Sequence, residues 1–330
     1  MVWEWVIKAV VFALVLTIGF AYGTLFERRT IAAIQVRIGP NRAGPQGIIQ
    51  PIADGIKLMF KESFTPAGVN KVLYTLAPIL AAVPALIIAG VVPWGGDVVI
   101  GGRIVPLYIT NVNVGVLYLL TIASISVYGI VLGGWASNNK YALMGGLRSA
   151  AQMISYELSL GLSIMVPALL AGSMSLVDIV GAQHSIWYIV LQPLAFITYF
   201  ITSTAEINRP PFDLAEAEQE ISEGFNVEYG GMKFAVYYMA EYVELIAIAL
   251  IGSSLFLGGF YGPGVDTIPW LGPIYLLIKV GIWFFVLVWI RATFPRIRYD
   301  RLMSLGWKVL FPLSLVNLLL TAGVLLATGG

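Results

Sequence analysis

Cysteine is absent from the 330-residue chain, and histidine occurs once, at His184. Iron–sulfur clusters need thiolates, haem usually needs a His, Cys or Met ligand, and structural zinc needs Cys or His. The sequence therefore predicts no metal ligation and no redox centre of its own, so electron chemistry has to come from a partner. His184 lies between two hydrophobic stretches and reads as a solvated loop residue. Charge is also scarce. Asp, Glu, Lys and Arg make up 11% of the residues, against about a quarter in soluble domains. The net charge of +1 supplies no field that would attract nucleic acid. Internal repeats, low-complexity tracts and a soluble domain are missing too.

Apolar side chains take the place of that charge, at 58% of the residues and a mean hydropathy of +0.86. Lipid rather than water is the solvent such a surface fits. A helix needs about twenty apolar residues to cross the hydrocarbon. Eight stretches qualify: Trp5–Phe26, Val72–Val92, Val114–Trp135, Ala150–Ala171, Ile186–Ala205, Phe234–Gly258, Leu271–Thr293 and Lys308–Ala327. The first resembles a signal peptide, but Glu4 spoils a basic leader and no small-residue cleavage site follows, so it reads as a span. The expectation is an all-α integral membrane protein with eight transmembrane helices, forming one polytopic domain over residues 1–330. Tryptophans near the span ends (Trp5, Trp94, Trp135, Trp187, Trp270, Trp307) fit an interfacial belt.

Basic residues fall on one side. Arg28, Arg29, Arg37, Arg42, Lys57, Lys61 and Lys71 follow span one, and Lys140 and Arg148 follow span three. Arg209 and Lys233 follow span five; Arg291, Arg296, Arg298 and Arg301 surround the end of span seven. The opposite loops hold only Arg103. Positive charge stays cytoplasmic. Loops at about 27–71, 136–149, 206–233 and 294–307 are therefore expected inside, and both termini in the periplasm. Within the first loop, Ile49, Ile52, Ala53, Ile56, Met59 and Phe60 recur at helical spacing, with Asp54, Lys57 and Lys61 opposite and Pro51 in a first turn. An amphipathic helix in the membrane interface and a helix packed on a soluble partner both fit this stripe.

Ionisable groups inside the spans are informative, because each costs about 3 kcal/mol or more at the bilayer centre unless paired or hydrated. Glu157 lies nine residues beyond Arg148, and Glu241 eight beyond Lys233, with Glu244 one turn further. Both sets reach about 12–17 Å in from the cytoplasmic side, near the midplane. Lys279 reaches a similar depth from the other side, and Ser155, Tyr156 and Ser159 add hydroxyls near Glu157. A hydrated proton relay and a static Lys–Glu pairing are both open at this stage. After span five, Glu206 to Glu228 carries seven acids (Glu206, Asp213, Glu216, Glu218, Glu220, Glu223, Glu228) against one base, Arg209, a net −6. Pro210 and Pro211 forbid a continuous helix out of the span. Asp213 is then placed to start a new helix, with Asp213, Glu216, Glu220 and Glu223 on one face. A solvated face and a proton funnel toward Glu241 both explain the run.

Three signatures carry a family resemblance. The first is Glu27-Arg28-Arg29 with Gln35-Val36-Arg37-Ile38-Gly39-Pro40-Asn41-Arg42-Ala43-Gly44-Pro45 and Gln50-Pro51-Ile52-Ala53-Asp54-Gly55-Ile56-Lys57. The second is Glu206-Ile207-Asn208-Arg209-Pro210-Pro211-Phe212-Asp213-Leu214-Ala215-Glu216-Ala217-Glu218, continued by Phe225-Asn226-Val227-Glu228-Tyr229 and Met239-Ala240-Glu241-Tyr242. The third is Arg291-Ala292-Thr293-Phe294-Pro295-Arg296 with Arg298-Tyr299-Asp300. In these the chain resembles, over essentially its whole length, the H-subunit family of bacterial NADH–quinone oxidoreductase (respiratory complex I), whose mitochondrial counterpart is subunit 1. Related membrane-bound hydrogenase subunits share parts of this plan.

The resemblance implies an eight-helix inner-membrane subunit between the membrane arm and the peripheral arm. It would carry no redox cofactor, with iron–sulfur clusters, FMN and the NADH site on partner subunits and quinone as substrate. Its partners would be the peripheral quinone-site subunits, adjacent membrane subunits and lipid. Quinone would come from lipid past the first span, the amphipathic helix and the sixth span. At matching positions, Arg28, Arg37, Ala53, Asp54, Glu206, Phe225, Glu228 and Arg291 would line the quinone chamber or its mouth. Glu157, Asp213, Glu216, Glu218, Glu220, Glu241 and Lys279 would begin the proton path. A secondary transporter would show paired repeats with helices broken at matching positions, and the sequence has none; a passive scaffold leaves the central carboxylates unexplained. The topology is directly testable. A reporter fused at Gly330 should be active only when the reporter works in the periplasm; activity confined to cytoplasmic reporters would invert the orientation.

Overall fold

The computed structural model describes residues 2–100, 102–214 and 224–328. Its long helices are α1 (Val2–Ile34), α3 (Lys71–Ile88), α4 (Gly115–Ala136), α5 (Lys140–Ala171), α9 (Gly231–Phe256), α10 (Leu271–Thr293) and α12 (Phe311–Thr328). Shorter ones are α2 (Gln50–Phe60), α6 (Leu176–Ala182), α7 (Tyr188–Leu191), α8 (Pro193–Glu206) and α11 (Tyr299–Leu305), the last joined to α12 through a π-helical turn, Gly306–Leu310. Seven helices among the described residues are long and apolar enough to cross a membrane. The chain is a multi-pass membrane protein built on helices.

The expected fifth span, Ile186–Ala205, is not one continuous helix. It is split into α7 and α8 at Gln192, whose backbone sits at φ −134°, ψ 60°. Pro193 explains the break: a proline ring disfavours helical geometry in the residue before it and offers no N–H to the preceding turn. Two loop boundaries also differ from expectation. The first helix does not stop at Phe26 but runs through Glu27, Arg28 and Arg29 to Ile34. The loop drawn at about 136–149 shrinks to residues 137–139, because α5 begins at Lys140 under a cap in which Asn139 accepts from the Tyr141 N–H at 2.9 Å. Hydropathy marks the edge of the hydrocarbon, and neither charge nor this Gly145–Gly146 pair ends a helix that packing supports. A small antiparallel hairpin, Asp97–Ile100 with Arg103–Pro106, was not expected at all.

The stripe from Ile49 does form α2. It buries none of its residues and leaves Ile52, Ile56, Met59 and Phe60 exposed. It is held to α1 by a 2.7 Å ion pair between Arg28 and Asp54, which also accepts from Gln50 at 3.1 Å.

Glycines let the central helices approach closely, as membrane interfaces require where lipid gives no hydrophobic drive. A Cβ on Gly129 of α4 would lie 2.5 Å from the Ala81 backbone nitrogen of α3; one on Gly134 would lie 2.6 Å from the Ala142 carbonyl oxygen of α5. A Cβ on Gly145 would meet Gly224 at 2.6 Å. This last contact seats the far end of the acidic segment against α5. Gly129→Ala must push backbone against backbone and should cost about 1–3 kcal/mol, read as a lower thermal midpoint of the purified protein. Gly281→Ala, which meets nothing within 4 Å, should leave the midpoint unchanged. Equal midpoints for both variants would contradict the close-packing account.

Candidate functional site

Candidate side chains converge where α1, α9, α10 and the chain after α8 meet. Two charges outside the expected spans are buried: Arg209, the lone base of the acidic segment, is 4% exposed and Glu27 at the end of the first expected span is 2% exposed. Arg209 Nη1 donates to both Glu27 oxygens, at 2.9 and 2.7 Å, and its Nε lies 2.7 Å from Glu241 Oε1. Its guanidinium also sits 4.4 Å from the centre of the Tyr242 ring. Arg291 pairs with Glu27 from α10. Two guanidinium groups and two carboxylates thus form one alternating cluster. Burial works against the charged form of Arg209, but Glu241 and Glu27 outweigh it and hold the group far above its ordinary pKa. Arg209 stays cationic.

The loop carrying Arg209 is fixed by uncharged contacts and by a second ion pair. Gln152 of α5 donates to the Ala205 and Phe212 carbonyls, both at 2.7 Å, and Asn208 donates to Ser149 at 2.9 Å. Asp213 is paired with Arg296 at 2.7 Å, while the Ile297 N–H donates to Pro211 at 3.0 Å. At the other end of the acidic segment, Glu228 accepts from Asn139 through its side chain at 2.8 Å and from Tyr74 through its carbonyl at 2.5 Å. Tyr74 and Tyr229 stack with ring centres 4.3 Å apart, and Phe225 meets Tyr237 edge-on at 5.3 Å. Both ends of the segment are therefore anchored. Glu216, Glu218 and Glu220, with the helix expected to follow Asp213, lie outside the described residues.

Two small cavities run inward from the cluster, each of about 40 Å³. The first is bounded by Glu241, Asn208, Asn226 and Tyr237, the second by Glu206 and Tyr199; Ser126, Ile207 and Glu244 line both. A water needs about 10–15 Å³ and two or more polar partners, so each cavity has room for about three beside the carboxylates and Ser126 that line it. Glu157 accepts from Ser124 of α4.

Of the residues expected from sequence, Arg28 and Asp54 come together, as do Arg291 and Glu241 through Glu27 and Arg209. Ala53 is exposed on α2, and Arg37 is exposed with Nε donating to Gln35 at 2.7 Å. Glu206 is buried beside Glu244 rather than beside Arg28 and Asp54. Lys279 is not brought to any carboxylate among the described residues: its ammonium donates to the carbonyls of Leu257, Gly259 and Tyr261 at 2.6, 2.7 and 2.7 Å. Static pairing therefore exists, but it uses Arg209. Glu27 and Arg209 were missed as site residues because an acid at a span end and one base among seven acids both look solvated; only the third dimension brings them together.

Comparison with known proteins places this arrangement. A family model described as NADH dehydrogenase matches residues 7–322. The H subunit of the NADH-quinone oxidoreductase of Protochlamydia amoebophila (strain UWE25) is 52% identical over 302 residues, 92% of this chain and 91% of its own. The H 1 form of the same subunit in Geobacter metallireducens is 50% identical over 319 residues, 96% of this chain and 95% of its own. The H 2 form in Geobacter sulfurreducens is 49% identical over 318 residues, with the same two shares. With a family match across nearly its whole length and relatives at about half identity, the chain belongs to the NADH dehydrogenase family.

Proposed function

We propose that this chain is the H-type membrane component of a proton-translocating NADH:quinone oxidoreductase in a bacterial inner membrane. In this reading it forms the quinone chamber against the peripheral arm and passes the consequence of quinone reduction to carboxylates in the membrane. It crosses the bilayer eight times, α7 and α8 together making the fifth crossing, with α2 lying in the interface at the chamber's mouth and both termini in the periplasm. Partner subunits carry NADH, FMN and the iron–sulfur clusters; neighbouring membrane subunits and lipid complete its surroundings. The chamber and its mouth are assigned to Arg28, Arg37, Ala53, Asp54, Phe225, Glu228 and Arg291, with Glu206 at the boundary to the proton path. Asp213, Glu216, Glu218, Glu220, Glu241 and Glu157 are assigned to that path.

The observation that carries the reading is the position of Arg209, which hydrogen-bonds Glu27 on the proposed chamber side and forms an ion pair with Glu241 on the membrane side at once. Reducing a quinone to a quinol consumes two electrons, delivered by the partner's cluster, and two protons. Each changes the charge beside Glu27 and Arg291, and such changes act strongly where water is excluded. A shift of Arg209 toward Glu27 weakens its hold on Glu241, so the proton affinity of Glu241 changes with the state of the quinone. The cavities that join Glu241, Glu244 and Glu206 supply the space for water between successive carboxylates. Groups this close titrate as a unit, so no single proton belongs to one residue.

Glu241→Gln keeps the shape and a hydrogen-bonding group but removes the titratable proton. It should lower quinone-linked turnover and proton pumping by at least about tenfold, while electron transfer from NADH to an artificial peripheral acceptor persists. If Glu241 serves only as a partner for Arg209, the substitution should instead impair assembly, since a buried charge that loses its partner costs about 3–5 kcal/mol. An assembled variant that pumps at the normal rate would defeat both readings.

A further inference from the structure

The end of α9 remote from Arg209 holds the other buried cation, and its surroundings differ in kind. After Phe256 the chain turns back through Gly258 and Gly259, at φ 70° and 52°, and the Gly259 N–H returns to the Ser253 carbonyl at 2.9 Å. These two left-handed glycines aim the carbonyls of Leu257, Gly259 and Tyr261 at one point. Lys279 reaches that point from α10 and donates to all three, at 2.6, 2.7 and 2.7 Å. Trp187 covers it, with the ammonium 4.5 Å from the ring centre. The cage is built from several directions. Gln183, fully buried, accepts from the Gly258 N–H at 3.0 Å and donates to the Ser254 carbonyl at 2.8 Å. A Cβ on Gly258 would stand 2.7 Å from Trp187, and one on Gly259 would stand 2.8 Å from Val180.

An ammonium has three donors and no acceptor. Every proton of Lys279 is committed to a backbone oxygen at the negative end of a helix, with an aromatic face above. Releasing one would leave a carbonyl facing a nitrogen lone pair. Carbonyl oxygens that replace a hydration shell are also the chemistry by which proteins hold bare monovalent cations. A cavity of about 660 Å³, lined mainly by apolar side chains such as Phe196, Tyr275 and Trp283, opens beside the nitrogen and leaves room for a cation without a tether.

The geometry points to a monovalent-cation site whose tethered occupant is the Lys279 side chain. Its fixed positive charge locks the outer end of α9 to α10 and carries no transported proton. Lys279 is thus a positioning residue for the helix that bears Glu241 and Glu244. Removing the tether while keeping the cage should let a free alkali cation of ammonium size, potassium, take its place.

The test uses the whole complex carrying Lys279→Ala, purified and in sealed membranes, in choline or in potassium chloride at equal ionic strength. In choline the thermal midpoint should fall by about 5 °C or more, and potassium should restore at least half of the loss while leaving the parent unmoved. Protons pumped per electron should equal the parental ratio in potassium. Lys279→Arg, whose charge is permanent, should keep that ratio in either salt. An assembled Lys279→Arg complex with a reduced ratio would overturn the inference and return Lys279 to the proton path. Failure of potassium to stabilise Lys279→Ala would overturn the cation site. The pumping readout rests on the proposed function, whereas the thermal readout does not, so a parent complex without quinone-linked pumping would sink only the former.

Discussion

A guanidinium buried among membrane helices must find negative partners, because it does not give up its proton at accessible pH. Arg209 meets that constraint with Glu27 and Glu241, and the surrounding structure follows from it. Glu27 must sit within reach, so α1 continues as a helix past the end of its apolar run. Glu241 must face the same point, which fixes the rotation of α9. The loop after α8 must pass under both, which Gln152 and Asn208 enforce from the α5 side. Arg291 shares Oε1 of Glu27 with Arg209. Removing any one member strands the others in a medium that does not solvate them.

Charge of this kind is a poor source of stability, since the cost of dehydrating the ions roughly offsets their attraction. In the proposed coupling its value lies in the choice of partner it offers. A guanidinium fork shared by two carboxylates on different helices can favour one or the other, and a change of charge on either side biases the choice. That places the link between the proposed chamber and the membrane axis in three side chains. Lys279 donates to three carbonyls and, among the described residues, to no carboxylate. Arg209 and Lys279 thus differ: in this account one is poised between partners and the other is fixed.

Much of this was legible in the sequence. Apolar runs of about twenty residues located seven of the long helices, and the Ile49–Phe60 stripe located α2. Glu241 and Glu157 stood out because acids in apolar spans are costly. The break at Gln192 was written in Pro193 but masked by hydropathy, which does not register backbone geometry. Glu27 and Arg209 are 182 residues apart, and no local pattern pairs them. Lys279 was assigned to the carboxylate axis by its depth and by the family resemblance; its carbonyl partners are set by two glycines whose backbone conformation composition does not reveal.

The most direct measurement is the number of protons pumped per electron by an Arg209→Lys complex in sealed vesicles. Lysine keeps the buried charge but is a point donor that cannot hold two carboxylates as a planar fork does. The account predicts an assembled complex that still reduces quinone while pumping fewer protons per electron than the parent. An assembled Arg209→Lys complex with the parental ratio at full turnover would contradict it.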